Sequence, residues 1–402
     1  MSGTLAINGG VPVRKEYLSY GHQWINNDDI KAVAEVLKTD WVTQGPKVDE
    51  FEKIVSDYCH AKYAVAFSSG TAALHAAAFA TGITEGHEII TTPITFVADG
   101  NCALYQGGTV KLADIQSNTY NIDPQCIKKT ITSKTKAILP VDFAGQPCDI
   151  DEINEIAHEH GIPIIEDAAH ALGAEYKGKK VGGLADMTIL SFHPVKAITT
   201  GEGGMVLTNN VEYYEKLQTF RTHGITKDPK KIKKNEGAWY YEMQDLGYNY
   251  RLTDFQCALG ISQCKKLDQF IKRRREIVQQ YNTAFKDLSE IVAPYEKKDV
   301  RSAYHIYVIQ LQLEKLRADR KTIFDAFRAE NIGVQVHYIP VHYHPYYQQH
   351  VGYKQGDFPN AERYYERALT LPLFPRMTTQ DIEDVIQAVY KIITFYRNKE
   401  EG

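Results

Sequence analysis

Residues 162–196 read IPIIEDAAHALGAEYKGKKVGGLADMTILSFHPVK. Two short apolar, β-branched runs in this stretch, Ile162–Glu166 and Met187–Phe192, have the pattern of strands buried on both faces. The first runs directly into Asp167, and the second into His193-Pro194-Val195-Lys196. If both strands belong to one open parallel sheet, Asp167 and Lys196 lie at strand carboxyl ends, the edge where such sheets bind ligands.

Five further runs of the same texture flank this pair: Tyr63–Phe67, Glu88–Thr91, Thr109–Ala113, Lys136–Val141 and Met205–Thr208. Segments of helical pattern alternate with them. Asp149-Ile-Asp151 followed by Ile153, Ile156 and Ala157 reads as a capped amphipathic helix, as does Asp123-Pro124 leading into Ile127 and Ile131. Seven strands interleaved with helices predict one large α/β domain whose sheet is covered on both faces. After Thr253 the texture changes. A long helical stretch through Lys286, a strand Tyr304–Leu311, a helix near Leu316–Glu330 and a strand Gly333–Tyr338 predict a smaller α+β domain. The expected division is therefore 1–252 and 253–402. The apolar stripe Ile382, Val385, Ile386, Val389, Ile392 and Ile393 in Thr378–Tyr396 reads as a helix face for packing.

The composition limits the function classes. Of 402 residues, 43% are hydrophobic and 24% charged, which is the balance of a globular protein and not of a disordered or fibrous one. Lys+Arg of 46 against Asp+Glu of 50 gives a net charge of −4, without the basic excess that neutralises a nucleic-acid backbone. No apolar run approaches the ~20 residues needed to span a bilayer. Gly9, Gly10 and Pro12 interrupt the amino-terminal stretch Met1–Lys15, which lacks the apolar segment of a signal peptide, so a cytoplasmic protein is expected. The cysteines, Cys59, Cys102, Cys126, Cys148, Cys257 and Cys264, are widely spaced and read as reduced core residues.

Three features bear on chemistry. Ser68-Ser69-Gly70-Thr71 lies between the run Tyr63–Phe67 and the Ala-rich helix Ala72–Phe79. Orphan N–H groups, two hydroxyls and a glycine make it a candidate phosphate cradle, and a plain Ser/Thr helix cap is the other reading. Asp167 and Lys196, 29 residues apart, suit a cofactor with a basic ring nitrogen, an aldehyde and a phosphate, the description of pyridoxal phosphate. Alone, they could equally be a capping aspartate and a surface lysine. Gly201-Glu202-Gly203-Gly204 precedes a strand instead of following one, so a dinucleotide fingerprint fails on context and a tight-turn role remains.

Other clusters carry less. His337, His342, His344 and His350 are interrupted by Pro340 and Pro345, which argues against an aligned metal site and for substrate contact or loop packing. His158 and His160 read as solvated surface. The basic run Lys227, Lys230, Lys231, Lys233 and Lys234 reads as a solvated loop.

Together, Ser69-Gly70-Thr71-Ala72, Glu166-Asp167-Ala168-Ala169-His170, Ser191-Phe192-His193-Pro194-Val195-Lys196 with Gly201-Glu202-Gly203-Gly204, and Gly247-Tyr248-Asn249-Tyr250-Arg251 resemble the DegT/DnrJ/EryC1/StrS family of pyridoxal-phosphate-dependent nucleotide-sugar aminotransferases. The resemblance extends from about Tyr20 to the last helix. It is closest to the subgroup serving pseudaminic acid biosynthesis, through Glu88–Phe96, Lys180–Gly183, Ile198–Gly204 and Val336-His337-Tyr338, although Ala197 stands where that subgroup favours proline. The resemblance implies fold type I, the aspartate-aminotransferase-like fold of pyridoxal phosphate enzymes, and a homodimer with shared active sites. It implies Lys196 as the lysine that bonds the cofactor and shuttles protons, Asp167 as partner of its ring nitrogen, His170 beside the ring and Phe96 stacked on it. Ser69 would contact cofactor or substrate. Thr71, Ala72 and Ser191 would hold the phosphate, with Asn249 reaching in from the other subunit. Tyr20, the stretch Trp41-Val42-Thr43-Gln44 and the stretch Val336-His337-Tyr338 match substrate-contacting positions, and the run around Lys230 is a candidate to approach a diphosphate. The implied reaction uses L-glutamate to aminate C4 of a UDP-linked 4-keto-6-deoxy-N-acetylhexosamine by way of pyridoxamine phosphate. The alternatives are another nucleotide-linked keto-sugar as acceptor, or a non-catalytic regulator of the same fold.

Overall fold

Each of the seven apolar runs becomes a strand: β1 Tyr63–Phe67, β2 Glu88–Thr91, β3 Thr109–Leu112, β4 Thr135–Ile138, β5 Ile165–Asp167, β6 Met187–Ser191 and β7 Gly204–Thr208. The structure, a computed structural model, describes residues 4–398, so Met1–Gly3 of the amino-terminal stretch lie outside the described residues. One ladder orders β1-β7-β6-β5 and another β3-β2-β4. Parallel bridges Ile138–Ile164 and Val141–Asp167 join them into one array, β3-β2-β4-β5-β6-β7-β1. The sheet is not wholly parallel as the sequence suggested, because β7 runs antiparallel to both β6 and β1. The reason is local. No helix separates β6 from β7, and a parallel return needs such a crossover. β5 and β6 are parallel, so Asp167 and the segment leading to Lys196 do leave the sheet on the same edge.

Strand alternation sends neighbouring side chains to opposite faces. Val65 and Phe67 of β1 pack against the helix Gly70–Ala80, while Ala64 and Ala66 join Phe51 and Val55 of the helix Pro46–Cys59. The helices read at Asp123 and Asp149 form as Pro124–Thr130 and Ile150–His160. Asp123 caps the first through the Gln125 N–H, but Asp149 makes no such cap and pairs with Lys297 instead. All six cysteines are free; Cys126 and Cys264 are half-buried and the other four are buried.

The long stretch after Thr253 is two helices, Asp254–Cys264 and Leu267–Phe285. Between them Lys266 reaches the fully buried Asp29, with Nζ 2.5 Å from Oδ2. Ile291–Val292, Tyr307–Leu311 and Ala368–Leu371 form an antiparallel sheet covered by the helices Arg320–Ala329 and Thr379–Tyr396. In the last helix Ile382, Val385, Val389, Ile392 and Ile393 are buried, as the stripe required. Leu5 and Leu18 pack into this carboxy-terminal core. The expected strand Gly333–Tyr338 does not form. Only Gln335 bridges to Thr370, after which the chain leaves the ladder toward Pro340, which has no N–H to donate. Among the described residues no helix is long and apolar enough to cross a membrane.

Arg274 ties the helix Leu267–Phe285 to the chain at His305 and Leu373. It is 2% exposed, and its Nη1 donates to the carbonyls of His305 and Leu373, each at 2.9 Å. Burial pulls its pKa down to about 10. Arg274→Ala leaves both carbonyls unpaired and opens a cavity, and should cost roughly 2–4 kcal/mol. A thermal unfolding midpoint equal to wild type would contradict that expectation.

Candidate active site

The helix Gly70–Ala80 starts where β1 ends. Ser69 caps it, its Oγ accepting the Ala72 N–H at 3.1 Å. Gly70 and Thr71 are the first helical residues, whose N–H groups have no intrahelical acceptor. Two strand ends crowd this turn. A Cβ on Gly70 would lie 3.2 Å from Cβ of Ser191, and one on Gly204 would lie 2.4 Å from the Ser69 carbonyl oxygen. Gly204 is therefore required for β7 to pass the helix start. Gly201, at φ +83°, makes the tight turn that the sequence assigned to the glycine run.

These elements open onto a cavity of about 430 Å³, lined by Ser69, Gly70, Thr71, Ser191, Asp167 and Lys196 among others. Asp167 ends β5, and one of its oxygens accepts the Ala169 N–H at 2.8 Å. Desolvation pushes the Lys196 pKa down to about 8 against the opposing pull of Asp167 and Asp99. Burial also raises Asp167, a rise countered by the Ala169 N–H and by Lys196. Glu166, directed into the sheet and accepting from Thr188 at 2.8 Å, is pushed up to about 7 by burial.

The opposite wall is aromatic. The Tyr338 hydroxyl lies 3.0 Å from Nε2 of His170, whose Nδ1 accepts the Ala144 N–H at 3.3 Å. This leaves the His170 proton on Nε2, and burial holds its pKa well below the usual histidine value. His305 packs against it at a tilt of 43°, with ring centres 4.3 Å apart. Tyr20 lies 5.2 Å from His337, and Phe96 6.3 Å from Tyr338, between ring centres. Burial takes His337 down to about 4.

Of the residues singled out from sequence, the cavity gathers Tyr20, Ser69, Thr71, Phe96, Asp167, His170, Ser191, Lys196, His337 and Tyr338. Ala72 lies just behind Thr71, buried. Val336 does not line the cavity. Trp41, Val42, Thr43 and Gln44 are exposed elsewhere, with Thr43 bridged to Thr253, and exposed Asn249 is bridged to Thr222. The Lys230 run is an exposed loop outside the cavity. Three of the four histidines of the His337–His350 stretch find separate partners: His337 meets Thr370, His342 meets Glu362, and His350 meets the Tyr346 carbonyl. Among the described residues no group of three or more His, Cys, Asp or Glu could hold a metal ion. Sequence reasoning missed Thr95, Asp99, Glu202 and His305, all in the lining. Asp99, an acidic residue in the first turn of the helix Ala98–Tyr105, carried a signal that reads equally well as helix-end charge.

A profile described as the DegT/DnrJ/EryC1/StrS aminotransferase family matches residues 23–390. The chain is 44% identical to the spore coat polysaccharide biosynthesis protein SpsC of Bacillus subtilis, over 95% of this chain and 99% of that protein. It is 40% identical to a Campylobacter jejuni UDP-4-amino-4,6-dideoxy-N-acetyl-beta-L-altrosamine transaminase, over 94% of this chain and 97% of that one. Among solved structures, Helicobacter pylori PseC, an aminotransferase of pseudoaminic acid biosynthesis, superposes with a TM-score of 0.88 at 33% identity, covering 95% of this chain and 100% of its own. A putative sugar aminotransferase of Streptococcus pneumoniae, solved in PLP and PMP forms, gives TM-scores of 0.87 and 0.88 at 28% and 29% identity, covering 94% of this chain and 99% of its own in both forms.

Proposed function

The chain belongs to the DegT/DnrJ/EryC1/StrS aminotransferase family, and from that premise we propose that it moves an amino group from L-glutamate to C4 of a UDP-linked 4-keto-6-deoxy-N-acetylhexosamine, in pseudaminic acid biosynthesis. It is a sugar aminotransferase of fold type I that uses pyridoxal phosphate. The observation that carries the reading is the convergence of Lys196, Asp167 and the helix start at Ser69–Thr71 on one cavity. The fit to the cofactor rests on this chemistry: free N–H groups and hydroxyls for a phosphate, a carboxylate for a ring nitrogen, and an amine for an aldehyde. Gly204 lets β7 pass against Ser69 without displacing that helix start.

When bound, the cofactor supplies an electron sink and carries the amino group between donor and acceptor. Thr71, Ala72 and Ser191 would hold its phosphate, with Ser69 shaping the cradle. Asp167 would pair with the ring nitrogen. Phe96 would cover one face of the ring, with His170 beside it. In each half-reaction Nζ of Lys196 would move the proton between the substrate carbon and the cofactor carbon that carries the amino group, and its depressed pKa keeps a fraction of that amine neutral near pH 8. Tyr20, His337, Tyr338 and Val336 would meet the sugar nucleotide. Asn249 and the stretch Trp41-Val42-Thr43-Gln44 would serve the site of a second subunit, since none lines the cavity of their own chain. Trp239, 72% exposed, and Leu246, 73% exposed, lie near Asn249 in sequence and support such a homodimer. The enzyme would act in the cytoplasm.

A second acceptor sugar is favoured by one observation: identity to the spore coat protein, 44%, exceeds that to the altrosamine transaminase, 40%. One experiment separates the two readings. The purified protein should show a visible absorption band that bleaches with L-glutamate and returns with a UDP-linked 4-keto-6-deoxy-N-acetylhexosamine, the product then being identified. Bleaching without recovery by any epimer of that sugar would reject the acceptor. No bleaching with glutamate would reject the donor.

A further inference from the structure

Asp99, in the first turn of the helix Ala98–Tyr105, is 1% exposed and shares the cavity wall with Asp167. The carboxyl groups of the two residues are in hydrogen-bond contact. Oδ2 of Asp99 accepts from the Thr95 hydroxyl, while Oδ1 receives no donor among the described residues. Two touching carboxylates enclosed away from water do not both ionise, so the pair holds a proton. Asp167 has the better claim to the negative charge: it accepts the Ala169 N–H at 2.8 Å and is drawn down by Lys196. Asp99 has one hydroxyl donor and is raised by burial and by Asp167. The other titratable groups interacting with this pair are Asp142 and Glu166, both raised by burial, and Cys102, Tyr338 and Tyr347, kept neutral by burial; Lys196 is the cation that acts on both carboxyls.

We propose that Asp99 is a positioning residue whose carboxyl group donates a hydrogen bond to Asp167, keeping Asp167 ionised and turned toward the ring nitrogen of the cofactor. The inference rests on the reading of Asp167 as partner of that nitrogen. The Thr95 hydroxyl in turn holds one oxygen of the Asp99 carboxyl and leaves Oδ1 free.

The test is binding of pyridoxal phosphate to the cofactor-free protein, followed by absorbance between about pH 5 and 8. Asp99→Asn keeps an N–H donor in the same place and should bind within about three-fold of wild type. Asp99→Leu removes the donor at similar volume and should weaken binding roughly ten- to hundred-fold. Without the donor Asp167 protonates at a higher pH, so the weakening should grow as pH falls. If the leucine variant does not fold, Asp99→Ala carries the same expectation. Equal weakening by asparagine and leucine at every pH would reduce Asp99 to a packing residue and overturn the proposal. Asp167→Ala separates the two levels. If it binds the cofactor like wild type, the assignment of Asp167 fails and this inference with it. If it binds weakly while Asp99→Leu behaves as wild type, the inference alone fails.

Discussion

Lys196→Ala should fold and lose turnover by ~10⁴-fold or more, because in the proposed reaction one amine would serve both as the attachment point of the cofactor and as the base that moves the proton. Single-turnover assays with glutamate measure the loss, and circular dichroism checks the fold. The same residue makes a stability prediction with a definite sign. Its pKa is lowered from 10.5 to about 8 by burial, so below pH 8 the cofactor-free protein must hold a desolvated ammonium that the unfolded chain solvates freely. The unfolded chain binds more protons between pH 8 and 10.5, and stability rises with pH across that window. Lys196→Met should therefore make the cofactor-free protein more stable than wild type at pH 7, with the advantage fading above pH 8. A variant that is active, or one less stable than wild type at pH 7, would contradict the role of this amine.

Asp167→Ala should weaken cofactor binding roughly 100-fold, the cost of losing a charge-assisted hydrogen bond in a dry site. Turnover should fall further than occupancy explains, because a neutral ring withdraws electrons less well. Titrating the cofactor to saturation distinguishes the two effects: affinity is restored by excess cofactor, the electronic deficit is not. Near-normal turnover at saturation would contradict the pairing of Asp167 with the ring nitrogen. Asp167→Asn keeps the shape and removes the charge, and should resemble the alanine variant in rate more than in affinity.

Much of this site was legible before folding was considered. The seven strands were readable because residues buried on both faces of a sheet must be apolar over a short continuous run, as in Met187–Phe192. The placement of Asp167 and Lys196 at one edge followed from two successive strands of the same direction. The helix start at Asp123 was readable from its capping residue, whereas Asp149, read the same way, precedes a helix without capping it. The reversal of β7 was not, since direction depends on the path of the connection. Nor was the failure of Gly333–Tyr338 to pair beyond Gln335: its alternation suits a strand, yet the His337 ring meets the Thr370 hydroxyl and the Tyr338 hydroxyl meets His170.

The sequence by itself determined the α/β class, the strand ends, the Ser69–Thr71 turn at a helix start and the lysine and carboxylate near it, because each is written in residues adjacent along the chain. The tertiary structure decided what stands beside them. Asp99 meets Asp167 across 68 positions, and His305 meets His170 across 135. Whether a carboxyl group is ionised depends on water, donors and other charges within a few ångströms. Those neighbours are assembled only by folding, so no local reading of Asp99 could have distinguished a helix-end charge from a buried proton donor.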